Sequence, residues 1–398
     1  MIEHIENLSK SFREPEWLLN WRKKYATLGA ALPAVEKYGI GISGVDVSTD
    51  APSVPPAYRV GSISKELELY TWREALQQEH IQVILQGLLE SPLLPEPTHR
   101  MGAYARAQFA DALVLYAMPA VGQDGTVREE FFALETAARG TAADIVVIIV
   151  KQGAKLKFFN QVRSTGDAVS MREIIFLLEN DAHVEVVDSG EDNIQAKYAI
   201  FHTALIAAHS SVAFTETPWS AHAYKSETRS ILLGEKASTA ITHAIVADGE
   251  GVYDMWSGVT HTANNTQSRI TARGVGLGKS KTVYRGLIDM KPGVTGVDGA
   301  QDGRFLALAP TAEIDAIPSL DIASKDVSCV HKLSVTHIRD VDMFYPKLRG
   351  FSEEEGKEVV IEGHFSGLAD VEQEELMRRV QKSLTPVAPP ASTPSVAQ

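Results

Sequence analysis

The feature that most constrains the fold of this chain is a figure that recurs through its middle. From about residue 113 helical periodicity stops, and an apolar run, a turn and an alternating polar–apolar stretch follow one another repeatedly. The copies read VVIIVKQGAKLKF, IIFLLENDAHVEV, ALIAAHSSVAF, SILLGEKASTAI and AIVADGEGVYDM. Their turns lie at Gly153, Asp181, Ser210, Glu235 and Gly249, which are separated by 28, 29, 25 and 14 residues.

Irregular repeats of about 25 residues with this many strands predict a solenoid of stacked β coils. The solenoid would continue to about Ser334. A β-sandwich is the alternative, although sandwiches usually show turn signals every ~8–12 residues and fewer wholly apolar runs.

Helical patterns flank the repeats on both sides. Trp17, Leu18, Trp21, Tyr25 and Leu28 share one helical face, and a second helical pattern covers Tyr70 to Leu89. After the repeats, Ser352 and the three glutamates that follow it predict a helix start. We therefore predict a helical N-terminal region (1–110) with a Gly/Ser/Pro-rich linker (43–62), a β core (111–340), a C-terminal helical region (341–384) and a disordered tail (385–398).

Composition narrows the function classes. The formal net charge of −13 argues against a nucleic-acid or anionic-membrane surface. The stretch MIEHIENLSKSF lacks a basic head followed by an apolar run, so we expect no secretory signal. The single cysteine, Cys329, excludes an internal disulfide and suits a reducing cytoplasm. It also excludes an iron–sulfur cluster held by cysteines of this chain alone.

Four strings carry a family resemblance: REPEWLLNWR, ADALVLYAMPAVG, GLGKSKTVYRGLIDM, and IPSLDIASKDVSCVHKLSV followed by DMFYPKLRGFSEEEGKEVVIEG. They resemble the entry helix, the first core strand with its proline turn, a late β-helix coil and the C-terminal signature of the SufB/SufD family of iron–sulfur cluster assembly proteins. The similarity extends from about residue 13 to 368 and is densest after residue 255.

The resemblance implies a mainly β protein, with a right-handed parallel β-helix core and helical N-terminal and C-terminal regions. It implies a non-catalytic scaffold of the SUF system that works in the cytoplasm. Its partners would be a SufB-like subunit and the ATPase SufC, which supplies the ATPase activity, with apoprotein acceptors as indirect partners.

Two positions make the resemblance SufD-like. The B subunit carries a cysteine on the strand after Tyr-Arg-Gly-Leu, where this chain has Asp302. The marker of the D subunit is Cys-x-His on the later strand, which Cys329, Val330 and His331 match. Lys332 departs from the small residue that is usual there, and its positive charge would weaken iron binding.

Cys329 and His331 stand two residues apart on a predicted strand, so both project from one face. A thiolate and an imidazole can contact iron. Val327 and Leu333 share that face, which equally fits a buried strand at a subunit contact.

With the resemblance, His331, Cys329 and Asp302 become candidates for the interface and for cluster assembly, and His331 also for a metal ligand. Asp302 has the alternative role of making a turn before Gly303. The SufB-like subunit would supply the other ligands. We expect no cofactor bound stably to this chain alone, and transient iron or an iron–sulfur cluster at the interface with SufB.

The C-terminal signature implies the residues that dock the ATPase, namely Phe344, Tyr345, Arg349, Gly350, Ser352 and Glu353. A separate stretch, 274–280, resembles a phosphate-binding loop, but Arg273 stands where such a loop requires its first glycine. ATP chemistry therefore belongs to the partner.

Two other functions remain open. One is a SufB/D-like homodimer that forms the only core of a minimal SUF system. The more distant one is a β-helix enzyme acting on polysaccharides, since that fold often hosts such enzymes.

Overall fold

The computed structural model of the protein describes residues 1–34, 39, 53–61, 63–368 and 370–384. The chain divides into two compact units, residues 1–337 and 338–398. It is mainly β, with 48% of residues in strands and a β-solenoid of about eight turns, and with helices towards both termini. The solenoid prediction is thus confirmed, and the β-sandwich is excluded.

The strands, in chain order, are β1 (Ala57–Val60), β2 (Leu67–Thr71), β3 (Asp111–Ala117), β4 (Ala120–Val121), β5 (Val127–Ala138), β6 (Thr141–Val150), β7 (Lys155–Ser164), β8 (Val169–Leu178), β9 (His183–Gly190), β10 (Asn193–Ile206), β11 (Ser211–Glu216), β12 (Ala221–Leu232), β13 (Ser238–Ala247), β14 (Val252–His261), β15 (Gln267–Gly276), β16 (Lys281–Met290), β17 (Val297–Ala307), β18 (Glu313–Ile322) and β19 (Val327–His337). The helices are α1 (Ile2–Phe12), α2 (Glu16–Ala31), α3 (Trp72–Ala75), α4 (Glu79–Leu89), α5 (Arg100–Gln108), α6 (Phe344–Leu348), α7 (Glu353–His364) and α8 (Asp370–Leu384).

Two sheets form the walls of the solenoid. Sheet A runs in the order β18-β16-β14-β12-β10-β8-β6-β3-β2, and sheet B in the order β1-β5-β7-β9-β11-β13-β15-β17-β19, with β4 beside β5. From β3 and β5 onward the neighbouring strands along these two orders are parallel, so the chain alternates between the sheets and returns one step further along. Asn160, for example, pairs with Asp188, 28 residues later.

The two halves of the repeated figure correspond to the two sheets. On β6, alternate residues (Ile145, Val147, Ile149) pack against the N-terminal helices, and those between them (Val146, Ile148, Val150) face the solenoid interior. β6, like β8, is thus buried on both faces, which explains its unbroken apolar run. Strands of sheet B, such as β7, alternate between buried and more exposed residues.

One corner of the solenoid repeats a left-handed backbone. Gly153, Asp181, His209, Lys236 and Asn265 have φ between 58° and 75°. Their amides donate to carbonyls of the next coil, as from Asp181 to Ala208 at 3.0 Å. This ladder offsets the strain that left-handed φ imposes on residues other than glycine. Gly249 lies at the opposite corner, between β13 and β14, so the spacing of 14 residues is half a coil and not a shorter repeat.

Two strands occupy stretches that the sequence analysis assigned otherwise. β1, inside the proposed linker, pairs antiparallel with β5, and β2, which overlaps the start of the second helical pattern, pairs antiparallel with β3. Their cross-strand partners, and not local propensity, make these short segments strands. Residues 43–52 and 62 of the linker, and the predicted tail 385–398, lie outside the described residues.

In the C-terminal unit, Ser352 caps α7 as its sequence predicted. The Ser352 hydroxyl accepts from the Glu355 amide at 3.2 Å, and the Glu355 carboxylate accepts from the Ser352 amide at 2.8 Å. This reciprocal pair satisfies two amides at the helix start. Within the described part of the chain, none of the helices has the length and apolarity needed to cross a bilayer.

Candidate functional site

The three predicted site residues lie on the last strands of sheet B. Asp302 is on β17, and Cys329 and His331 are on β19. In the register between these strands, Gly299 pairs with Cys329, Gln301 with His331 and Asp302 with Lys332. Because side chains alternate along a strand, Asp302 lies on the opposite face of sheet B from Cys329 and His331. The structure therefore brings Cys329 and His331 together but not Asp302.

Asp302 is held by two arginines. Its carboxylate lies 2.7 Å from Arg273 and 3.2 Å from Arg304. Burial opposes ionisation of Asp302, but the charges of these arginines hold its pKa below the usual value. The carboxylate is thus occupied by ion pairs, which compete with any metal for its oxygens.

Cys329 and His331 have different environments on one face. Cys329 is half-buried and packs against the hydrophobic core of the solenoid. Burial, followed by the charge of Asp298, raises the pKa of the Cys329 thiol. The thiol is therefore protonated at neutral pH and becomes a ligand only if a metal displaces its proton. His331 is exposed.

Both residues belong to the final coil, made of β18 and β19. Ile314, Ala316, Leu320, Val327 and Leu333 of this coil are only partly buried against the core. No strand among the described residues pairs with the outer edge of β18 or β19. The final coil thus presents two open strand edges beside apolar side chains, which is a surface suited to another protein chain.

The predicted docking residues surround the start of α7. Phe344 and Tyr345 on α6 are largely exposed, and the Arg349 guanidinium lies 5.1 Å from the Tyr345 ring centroid. Gly350 has φ of 86°, and Glu353 pairs with Lys357 at 2.9 Å. Exposed aromatic side chains beside a helix start are typical of a protein contact surface.

A second group of polar residues, inside the solenoid, was missed by the sequence analysis. Asn160, Asp188, Glu216 and His243 are register partners on successive strands of sheet B. His202, Thr228 and Ser257 are register partners on sheet A. All seven side chains are buried within the apolar interior of the solenoid.

At one end of this interior group, Asn160 is hydrogen-bonded to Asp188 and to the buried Arg172. Arg172 donates to Asp144 at 2.9 Å and to Asn160 at 2.7 Å, and it also contacts Thr136. Charge and hydrogen bonds are therefore satisfied at this end, as a buried arginine requires.

The next part is a cluster of two carboxylates and two imidazoles. One ligand-type atom from each of Asp188, His202 and Glu216 lies within 4.8 Å of the others. Nδ1 of His243 lies 3.5 Å from Oε2 of Glu216. We call these four residues the interior cluster. Its arrangement can hold a proton or a cation between oxygen and nitrogen atoms.

The titration of the interior cluster follows from its burial. Burial, aided by Asp188, raises the pKa of Glu216 to about 7. Burial lowers the pKa of His243 to about 3. Burial also opposes protonation of His202, but the Asp188 carboxylate raises the pKa of His202 above its usual value. The cluster thus combines a readily protonated imidazole with a neutral one.

The sequence of this chain is similar to a family model and to several known proteins. Residues 132–364 match the family model described as "SUF system FeS cluster assembly, SufBD core domain". An iron–sulfur cluster assembly SufBD family protein of Staphylococcus saprophyticus is 21% identical over 90% of this chain and 86% of its own length. The iron–sulfur cluster assembly protein SufD of Escherichia coli is 24% identical over 50% of this chain and 47% of its own.

A SufBD family protein of Mycobacterium leprae is 30% identical over 139 residues. That match covers 35% of this chain and only 16% of the mycobacterial protein. The family model, in contrast, covers more than half of the chain, from the second sheet B strand of the solenoid into α7. The chain therefore belongs to the SufBD family of the SUF iron–sulfur cluster assembly system.

Proposed function

We propose that the chain is a SufD-like scaffold subunit, which pairs with a SufB-like subunit through its final coil and docks a SufC-type ATPase through its C-terminal helices. The observation that carries this proposal is the open final coil. It combines two strand edges that no strand of the described residues pairs with, half-buried apolar side chains, and Cys329 with His331 on one strand face.

The SufD-like assignment is supported at the position of the B cysteine. Asp302 stands there and is paired with Arg273 and Arg304. With Cys329 as the single cysteine, this chain offers at most a partial ligand set for iron or a cluster, which are cargo of the assembly. We propose that the partner completes this set, that no cofactor stays on the chain alone, and that the complex works in the cytoplasm.

We propose that the chain itself catalyses no reaction. The glycine-rich stretch 274–280 runs from the end of β15 through the turn before β16 with no helix between the strands, and Lys279 pairs with Glu250 at 3.1 Å. A phosphate-binding loop requires a helix N-terminus after its glycines. ATP hydrolysis is therefore assigned to the docked partner.

The test is His331→Ala in cells that lack the native gene. The His331 side chain is exposed, so its removal should change stability by no more than ~0.5 kcal/mol. We expect the complex to assemble as in wild type, and cell growth and the iron and sulfide content of the purified complex to fall sharply. Growth and iron and sulfide content should fall less in Cys329→Ala, because a half-buried cysteine behaves as a small apolar residue that alanine nearly replaces.

His337→Ala is the matched control, since His337 is an exposed histidine on the same face of the same strand. It should complement fully. Equal growth and iron content in His331→Ala and His337→Ala would remove His331 from cluster assembly and leave only its place at the interface.

A further inference from the structure

The interior cluster is buried without satisfying its inward-facing atoms. By hydrogen-bond geometry, Nε2 of His202, Oδ2 of Asp188 and Nδ1 of His243 have no partner within the described part of the chain. The Glu216 carboxylate has the Tyr224 and Ser226 hydroxyls beside it, but these also lie outside hydrogen-bond geometry. His202 Nε2 and Asp188 Oδ2 lie 3.1 Å apart, but not in hydrogen-bonding geometry. Each such atom has lost its water without gaining a hydrogen bond, so several around one point call for a shared partner.

The second polar atoms of Asp188, His243 and His202 are held in place by neighbouring side chains. Oδ1 of Asp188 accepts from Asn160 at 2.6 Å. Nε2 of His243 lies 2.6 Å from the Ser257 hydroxyl, and Nδ1 of His202 lies 3.4 Å from the Thr228 hydroxyl. Protein metal ligands are oriented in this way, with the second polar atom of each ligand fixed by an outer hydrogen bond.

The surroundings of the cluster favour a bound cation over water. His202 lies beside the rings of Phe176 and Phe214, with centroids 6.4 and 5.4 Å away. The carboxylates of Asp188 and Glu216 offer oxygen ligands in this apolar setting, and a cation that binds there would displace the protons on Glu216 and His202. Carboxylate oxygens together with imidazole nitrogens suit first-row divalent cations such as Fe²⁺, Mn²⁺ and Zn²⁺.

We infer that Asp188, His202 and Glu216 form a binding site for one first-row divalent metal ion inside the solenoid, with His243 beside Glu216. This site is separate from Cys329 and His331, and it does not depend on the proposed SufD-like function. Its three ligands come from β9 and β11 of sheet B and β10 of sheet A, so a bound ion would also link the two sheets.

The experiment measures metal in the full-length chain. The protein is expressed with added Fe²⁺ or, separately, Zn²⁺, purified without oxygen, and passed over a sizing column in EDTA. Because the ligands are fully buried, a bound ion should exchange slowly and survive this step. Elemental analysis should give about one ion per chain in wild type, and at least tenfold less in His202→Gln and Glu216→Gln.

His222→Gln is the matched control, because His222 is an exposed histidine on β12. It should retain the wild-type metal content. Circular dichroism checks that each variant is folded, and the near-isosteric Glu216→Gln serves if His202→Gln is not.

Two results would overturn the inference. One is a wild-type chain that leaves the column with less than about a tenth of an ion. The other is metal that is lost from Cys329→Ala or His331→Ala while Glu216→Gln keeps it. That second outcome would place the ion at the final coil and leave the SufD-like proposal standing.

Discussion

At the scale of single residues, a buried histidine can have both ring nitrogens hydrogen-bonded and still be uncharged. His261 is fully buried, with the Thr266 hydroxyl 2.8 Å from Nδ1 and the Ser268 hydroxyl 2.9 Å from Nε2. Burial lowers the pKa of His261 to about 4. The folded protein therefore keeps this imidazole neutral, whereas an unfolded chain protonates it near pH 6.5.

This difference predicts a loss of stability in acid. Because the folded pKa of His261 is depressed, the unfolded chain binds more protons between pH 6.5 and 4. The free energy of unfolding should then fall by up to ~3 kcal/mol from this residue as the pH drops through that range. Urea unfolding at pH 7 and at pH 4.5 measures the fall. This fall in the free energy of unfolding should be smaller in His261→Gln and unchanged in the exposed His222→Gln. An equal fall in wild type and His261→Gln would refute the role of His261 in acid destabilisation.

The residues of the candidate site differ in how far sequence could predict them. Cys329 and His331 were named as candidates because the sequence resembles a family signature on that strand. The interior cluster has no local motif, since its members stand on different strands. Only the repeat length points to it. Asn160, Asp188 and Glu216 follow one another at intervals of 28 residues, the same interval that separates the turns at Gly153 and Asp181. Reading polar residues at that spacing would have revealed the column on sheet B, but His202 on sheet A follows no such pattern.

At the scale of elements, the strongly periodic segments were predictable and the short ones were not. The solenoid strands follow from repeated burial on one or two faces. β1 and β2 have only four and five residues, and they are strands because β5 and β3 offer them edges to pair with. Such pairing depends on distant sequence, which local patterns do not contain.

At the scale of elements, we predict that the C-terminal helices bind the ATPase. Phe344, Tyr345 and Leu348 expose apolar side chains on α6, next to the capped start of α7. Deleting residues from Ser352 onward should abolish co-purification with a SufC-type ATPase. Residues 1–337 form a compact unit of their own, so their circular dichroism should remain that of a β protein. Deleting only residues 385–398 is the control, and an ATPase yield that is equal in both deletions would refute docking at α7.

At the scale of the whole molecule, the two ends of the solenoid differ. At the N-terminal end, the short antiparallel strands β1 and β2 cover the edges of the first parallel strands. At the C-terminal end, β18 and β19 keep their outer edges open among the described residues. Solenoids need their terminal repeats capped, and open edges invite pairing with another chain. The asymmetry supports the proposal that this chain pairs with a partner through its C-terminal end.

The central claim is that the final coil pairs with a SufB-like subunit, and native mass spectrometry tests it most directly. The chain is co-expressed with a SufB-like subunit and a SufC-type ATPase, as wild type and as Val335→Glu, which puts a charge on a side chain that is 42% exposed on β19. Val121→Glu, at a 59% exposed valine on β4, is the matched control. We predict complexes containing one copy of this chain and one SufB-like subunit for wild type and Val121→Glu, and free chain for Val335→Glu. A wild-type chain found only as a homodimer, or an intact complex with Val335→Glu, would contradict the account.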